Sequence, residues 1–156
     1  MKKRILTWLL AVSMLGSLLT VPAGAAAVTK FSDVSDSYTA TAVETLRLMG
    51  VLDGYGDGTF RPDTVLNRAQ FCKMAVYAMD GSGELGRYST VTIFPDVKPS
   101  HWASAYINMA ARKGIISGFA DGKFKPGQTV TAGQAVTILM RGLGYKDEDM
   151  GGVWPQ

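Results

Sequence analysis

The chain is poor in the groups that most chemistry uses. Its 156 residues include one cysteine, Cys72, and one histidine, His101. A lone cysteine cannot close an intrachain disulfide, and it is expected as a small buried hydrophobe. A lone histidine with no cysteine pair and no clustered acids does not make a zinc site. Nucleophile elbows, paired-histidine zinc motifs and phosphate-binding loops are all missing, so an enzyme is not expected and no cofactor is called for. Acidic residues are absent before Asp33, whereas Lys2, Lys3 and Arg4 open the chain. With those three set aside, 13 basic residues face 13 acidic ones. The basic character therefore belongs to the first few residues, and nucleic-acid binding loses its electrostatic support.

What is present begins with a leader. The basic start runs into Ile5 to Leu19, then Pro22 and the small-residue run Ala23-Gly24-Ala25-Ala26-Ala27. This is the pattern of a secretory signal peptide over 1–27. The apolar run is broken by Thr20 and Pro22 and is short for a membrane span. No membrane association is expected once the leader is removed.

The remainder is a repeat. Phe31-Ser32-Asp33-Val34 returns as Phe94-Pro95-Asp96-Val97. Gly54-Tyr55-Gly56-Asp57-Gly58-Thr59-Phe60-Arg61-Pro62 returns as Gly118-Phe119-Ala120-Asp121-Gly122-Lys123-Phe124-Lys125-Pro126, with the offset growing from 63 to 64. Under the later offset Tyr38 falls on Trp102, Gly50 on Gly114, Gln70 on Gln134 and Cys72 on Val136. Units of this kind bury apolar faces against each other. The expected organisation is a first unit over 28–79, a connecting exposed loop over 80–93, a second unit over 94–145, and a tail over 146–156.

Each unit reads as helix, loop, helix, and the fold class is mainly α: a small helical bundle with at most very short extended segments, such as Val91-Thr92-Ile93. Ser37 and Ser100 are candidate caps of the first helices. Ala42, Val43, Leu46 and Met49 form one apolar stripe, and Tyr106, Ile107, Ala110 and Lys113 its counterpart, completed on one side by Trp102 and Ala103. Gly50 and Gly114 stand where a C-cap glycine belongs. The loops carry Phe60 and Phe124 as apolar plugs. Asn67 to Gln70 and Thr131 to Gln134 are capping boxes for the second helices. Phe71 on one second helix faces the small Ala135 on the other, which suggests complementary packing of the pair. Asp53 to Gly58 is similar to the start of a calcium loop, but Tyr55 and Thr64 stand where two further acids belong, so turn formation is the simpler reading.

The ordered set of motifs resembles the S-layer homology domain: Phe-x-Asp-Val, then His101-Trp102-Ala103, a helix ending in Gly114-Ile115-Ile116-x-Gly118, and Phe119-x-Asp121-Gly122-x-Phe124-x-Pro126. Leu66-Asn67-Arg68-Ala69-Gln70 is similar to that family's Thr-Arg-Ala-Glu signature. The resemblance covers about 31–79 and 94–143. It implies a cell-surface module, exported and held to the wall by binding secondary cell-wall polysaccharide, often pyruvylated, in grooves between units that commonly come in threes. Carried over residue by residue, it points to Asp33, Asp96, Trp102 and Arg68 as ligand groups, with Tyr38 in the Trp102 slot. In the second unit the signature arginine is replaced by Ala132, so at most one arginine-bearing groove is implied. Trp154-Pro155 would open a third unit, and self-association is the other way to complete a set.

The residues themselves leave two roles open for each candidate. Arg68 offers a planar donor fork for a carboxylate beside free helix N–H groups, or it lies on a solvated face. Trp102 and Tyr38 can stack on a sugar or serve as packing aromatics. Asp33 and Asp96 can meet a ligand or hold backbone N–H groups in a turn. A structural or protein-interaction module without glycan binding is the rival function.

Overall fold

The computed structural model describes residues 30–79 and 83–150. The leader and Trp154 lie outside the described residues. Among the described residues four α-helices carry the architecture: α1 (Ser37–Leu48), α2 (Arg68–Met79), α3 (Ser104–Arg112) and α4 (Ala132–Gly142). Short 3-10 turns at Leu85–Tyr88 and Asp147–Met150 complete it. Among the described residues there is no strand; one isolated antiparallel bridge joins Asn67 to Thr129.

The helix starts differ from expectation in the first helices and agree with it in the second. Asp36, not Ser37, caps α1, its carboxylate accepting from Thr39 N at 2.6 Å. Ser100 caps nothing: a turn intervenes, closed by Ser104 N donating to His101 O, and α3 begins at Ser104 with Ala103 before it. Aspartate is a strong N-cap; Ser100 falls on the same repeat position as Asp36, but in the second unit a turn at His101, whose Nδ1 accepts from Ala103 N, delays the helix to Ser104. Asn67 and Gln70 exchange side-chain and backbone bonds at 2.9 Å each, and Thr131 with Gln134 does the same. Gly50 and Gly114 follow the helix ends with φ of 72° each, a left-handed conformation that relieves the last carbonyls.

Within a unit the opening phenylalanine stacks on the loop phenylalanine. Phe31 and Phe60 have ring centroids 5.7 Å apart, and Phe94 and Phe124 5.5 Å. The opening aspartate closes the same loop. Asp33 accepts from Phe60 N at 2.8 Å and Arg61 N at 2.6 Å; Asp96 accepts from Phe124 N at 2.9 Å and Lys125 N at 2.7 Å. Arg61 and Lys125 sit at φ of 60° and 57°, strained for side chains of their size. Each aspartate thus pins the amide of a left-handed residue.

The two units interlock rather than merely touch. A small core of Phe31, Val34, Ala40, Val43 and Leu52 lies in the first unit. The larger core holds Phe94, Val97, Ile107, Ala110, Ile115 and Phe124 of the second unit together with Ala69, Cys72, Ala75 and Val76 of α2. Helix α2 therefore belongs by sequence to the first unit and by core packing to the second. Its N-terminus is closed by the other unit's loop: Arg68 N donates to Gln128 O at 2.8 Å, Ala69 N to Pro126 O at 3.1 Å, and Val130 N returns to Leu66 O at 3.0 Å. Cys72 is wholly buried, and burial pushes its thiol up to about 12, so it packs as a hydrophobe.

Two stripes are narrower than their periodicity. Val43 is buried and Leu46 partly so, but Ala42 and Met49 are exposed; Ala103, Ile107 and Ala110 are buried, but Trp102 is not. The second helices do approach closely, at a different pair from Phe71 and Ala135. A Cβ on Gly142 would lie 1.7 Å from the sulfur of Met79.

The connection is docked rather than loose. Leu85 and Tyr88 pack on the larger core. Buried Asn108 holds it, its amide nitrogen lying within hydrogen-bond distance of Tyr88 O and Val91 O. The counterpart of Asn108 is Glu44, which pairs with Arg47 instead.

Candidate functional site

A cavity of about 330 Å³ opens between the two units. The first unit's loop and α2 supply Tyr55, Phe60, Arg61, Gln70 and Lys73, and the second unit supplies Trp102. Trp102 is 56% exposed and lies against His101, ring centroids 5.7 Å apart. His101 is itself fixed, its Nδ1 accepting from Ala103 N at 3.1 Å. An indole held in this way presents an open face at the rim.

Two cations border the cavity. The Arg61 guanidinium lies 4.0 Å over the Tyr55 ring and pairs with Asp57 at 2.7 Å. Lys73 pairs with the largely exposed Asp53 at 3.1 Å. Surface pairs of this kind are weak and exchange readily with another anion. The site thus joins two aromatic faces to two cations, a combination that can stack a sugar ring and meet an acidic substituent.

Of the ligand residues expected from sequence (Asp33, Tyr38, Arg68, Asp96 and Trp102), Trp102 alone lines this cavity. Tyr38 is 85% exposed at the start of α1. Asp33 and Asp96 direct their carboxylates to the loop amides described above. Arg68 is 4% exposed and sits in the second unit's loop. Its Nε donates to Phe124 O at 2.9 Å and Nη2 to Ser117 O at 3.3 Å, while Phe119 and Phe124 flank its guanidinium at 4.5 and 4.6 Å. Burial lowers its pKa, partly countered by Cys72 and Asp96, but an arginine remains charged at any physiological pH. Arg61 and Lys73 were not singled out from sequence. The signal that marks Arg61 is its repeat position, since Lys125 preserves the charge there; Lys73 falls on Thr137 and carries no such mark.

Asp57 and Asp33 are held ionised. Asp57 is lowered to about 2 by the Thr59 hydroxyl first, then by Arg61 and the Thr59 amide. The Phe60 amide, followed by that of Arg61, lowers Asp33. Groups depressed in the folded state contribute stability above their unfolded pKa of about 3.9, and that contribution is lost as pH falls through the folded value. Thermal stability is therefore expected to be level above pH about 5 and to fall between about 4 and 2. In Asp57→Asn the fall should be shallower in melts followed by circular dichroism; an identical slope would remove Asp57 from the effect.

Comparison with known proteins now bears on this architecture. The S-layer homology domain matches residues 30–72 and 93–136, one match per unit. The chain belongs to the S-layer homology domain family. Relatives include a surface layer protein of Brevibacillus choshinensis, 34% identical over 92% of this chain and 13% of that protein. A cell surface protein of Thermoanaerobacter kivui is 37% identical over 85% of this chain and 17% of its own length. A cellulosome-anchoring protein of Acetivibrio thermocellus is 31% identical over 72% of this chain and 26% of its own. The chain thus spans about a quarter or less of these relatives. An S-layer homology chain of this kind is an exported protein of the bacterial cell surface. Among the described residues no helix is long and apolar enough to cross a membrane.

Proposed function

We propose that this S-layer homology pair anchors an exported protein to the cell wall, without enzymatic activity, by binding wall polysaccharide in the cavity between its units. The observation that carries the reading is the exposed Trp102 facing Tyr55, Arg61 and Lys73 across one cavity. Trp102 is the platform for a sugar ring. Arg61 and Lys73 are the partners of an acidic substituent, such as the carboxylate of a pyruvylated sugar. Tyr38 is the equivalent platform at the first unit's outer edge. Asp33 and Asp96 act through the loops they close, and Arg68 holds the second unit's loop in place from within. A polymer repeating the same sugar would gain from several such contacts in series.

The test is retention on purified wall sacculi, before and after extraction of the secondary polymer. Retention should disappear with the polymer. Trp102→Ala should weaken it by about tenfold or more, equivalent to 1.4 kcal/mol, with the helical circular-dichroism signal unchanged. Equal retention on extracted and intact sacculi would instead favour a protein-interaction module.

A further inference from the structure

Where α2 packs on α3, two phenols meet. The Tyr77 and Tyr106 hydroxyls lie 3.3 Å apart, with ring centroids at 5.7 Å. The pair adjoins the cavity on its Lys73 side. Lys73 lines the cavity, and its Nζ lies 5.5 Å from the centre of the Tyr77 ring. Tyr77 follows Lys73 by one turn of α2, about 5.4 Å along the axis. Tyr106 follows Trp102 by four residues. The charge of Asp53, another residue of the cavity wall, also reaches the Tyr106 hydroxyl.

Comparing the two units shows how this pair arises. In the second unit Arg141 of α4 ties down the loop, its Nη1 donating to Ser117 Oγ at 3.1 Å. In the first unit the position of Ser117 is held by Asp53, and the tie comes from Lys73 at 3.1 Å. Tyr77 stands where the second unit has Arg141, and Thr137 stands where the first has Lys73. The tie has thus moved one turn toward the start of the helix. Position 77 is released from the loop and reaches Tyr106 instead, whose own counterpart is Ala42.

The chemistry of the pair suits a sugar. Two hydroxyls carry two donor hydrogens, and their mutual bond uses one. Among the described residues neither makes a further hydrogen bond. Burial first, then the Tyr77 hydroxyl, pushes the Tyr106 hydroxyl up to about 12, so it stays a donor as well as an acceptor. Both rings are half-buried, and that of Tyr106 rests on the larger core, so the hydroxyls are held at a fixed spacing. Adjacent hydroxyls of one sugar ring can bond to such a pair. A second carboxylate is disfavoured there by Asp53. We infer that Tyr77 and Tyr106 form a second sugar subsite, which takes a neutral residue next to the acidic one held by Trp102, Arg61 and Lys73. The inference rests on the polysaccharide reading above, and it makes the recognised unit at least a disaccharide.

Limited hydrolysis of extracted wall polymer supplies the probes: its monosaccharides and its short oligosaccharides. NMR titration of the full exported chain reads weak and tight binding alike. The wild type should bind the oligosaccharides more tightly than any monosaccharide. Tyr77→Phe with Tyr106→Phe keeps both rings and should cost about tenfold on the oligosaccharides, the worth of two modest hydrogen bonds, with no change on the monosaccharides. Trp102→Ala should weaken both classes of probe. If the double variant binds the oligosaccharides as the wild type does, or loses equally on both classes, the subsite is overturned and the anchoring function stands. Equal affinity of the wild type for both classes overturns it likewise. A wild type that binds no probe removes the polysaccharide reading and the subsite with it.

Discussion

Arg68→Ala is expected to destabilise the fold by about 3 kcal/mol, because a buried, hydrogen-bonded cation is removed from a closed seat. For a folded chain of this size that lowers the melting temperature by about 10 °C. The two carbonyls it serves, Phe124 O and Ser117 O, lose their donors, and the gap between Phe119 and Phe124 is left unfilled. Arg68→Lys should recover little. An ammonium has no planar face to lie between two rings and cannot span two carbonyls at the angle a guanidinium does. Differential scanning calorimetry of the three proteins measures the effect. If Arg68→Ala melts with the wild type yet is no longer retained by sacculi, Arg68 is a ligand group and not an internal strut.

The second large effect is at Gly54. Its φ is 71°, and a Cβ there would lie 2.1 Å from Cε1 and 2.6 Å from Cζ of Phe31. Phe31 is almost fully buried and stacked on Phe60, so the ring has nowhere to retreat. Gly54→Ala should therefore add an overpacking cost to the backbone strain, about 3 kcal/mol or more together. Gly50→Ala is the control. Its φ is 72°, and nothing lies within 4 Å of the added methyl, so only the left-handed strain of about 1 kcal/mol remains. Chemical denaturation of the two variants should separate them clearly. Equal losses would mean that the Phe31 ring yields, and that the first unit's core is softer than its packing indicates.

Most of the scaffold was legible in the sequence because it is local. The two capping boxes and the glycines at 50 and 114 each depend on residues a few positions apart, and each formed as expected. The fold class followed from the same periodicities. The caps of the first helices differ from expectation because the neighbouring Asp36 outcompetes Ser37 and a turn at His101 delays the second unit's helix past Ser100. The connection over 80–93 looked exposed because it is rich in glycine, whereas Asn108, fifteen or more residues away, donates to the Tyr88 and Val91 carbonyls and accepts from the Ile93 amide.

The site was less legible for a related reason. The aspartates and Arg68 have partners separated by 27 to 56 residues, and linear spacing does not say which oxygen or nitrogen is already engaged. Trp102 could be placed at a helix start, but its openness depends on what the first unit sets before it. Lys73 has no equivalent charge in the second unit and becomes a candidate only when α2 turns it toward Asp53 and the cavity.

By itself, then, the sequence determined the repeat, the helix–loop–helix plan and the family, since these rest on short-range hydrogen bonding and on ordered motifs. The tertiary structure decided which of two equivalent positions is covered. Cys72 is buried, its counterpart Val136 is exposed among the described residues, and Arg68 is closed into the second unit's loop. The physical reason is that burial belongs to the neighbour and not to the residue: α2 packs against α3 and α4, and linear spacing does not name those neighbours.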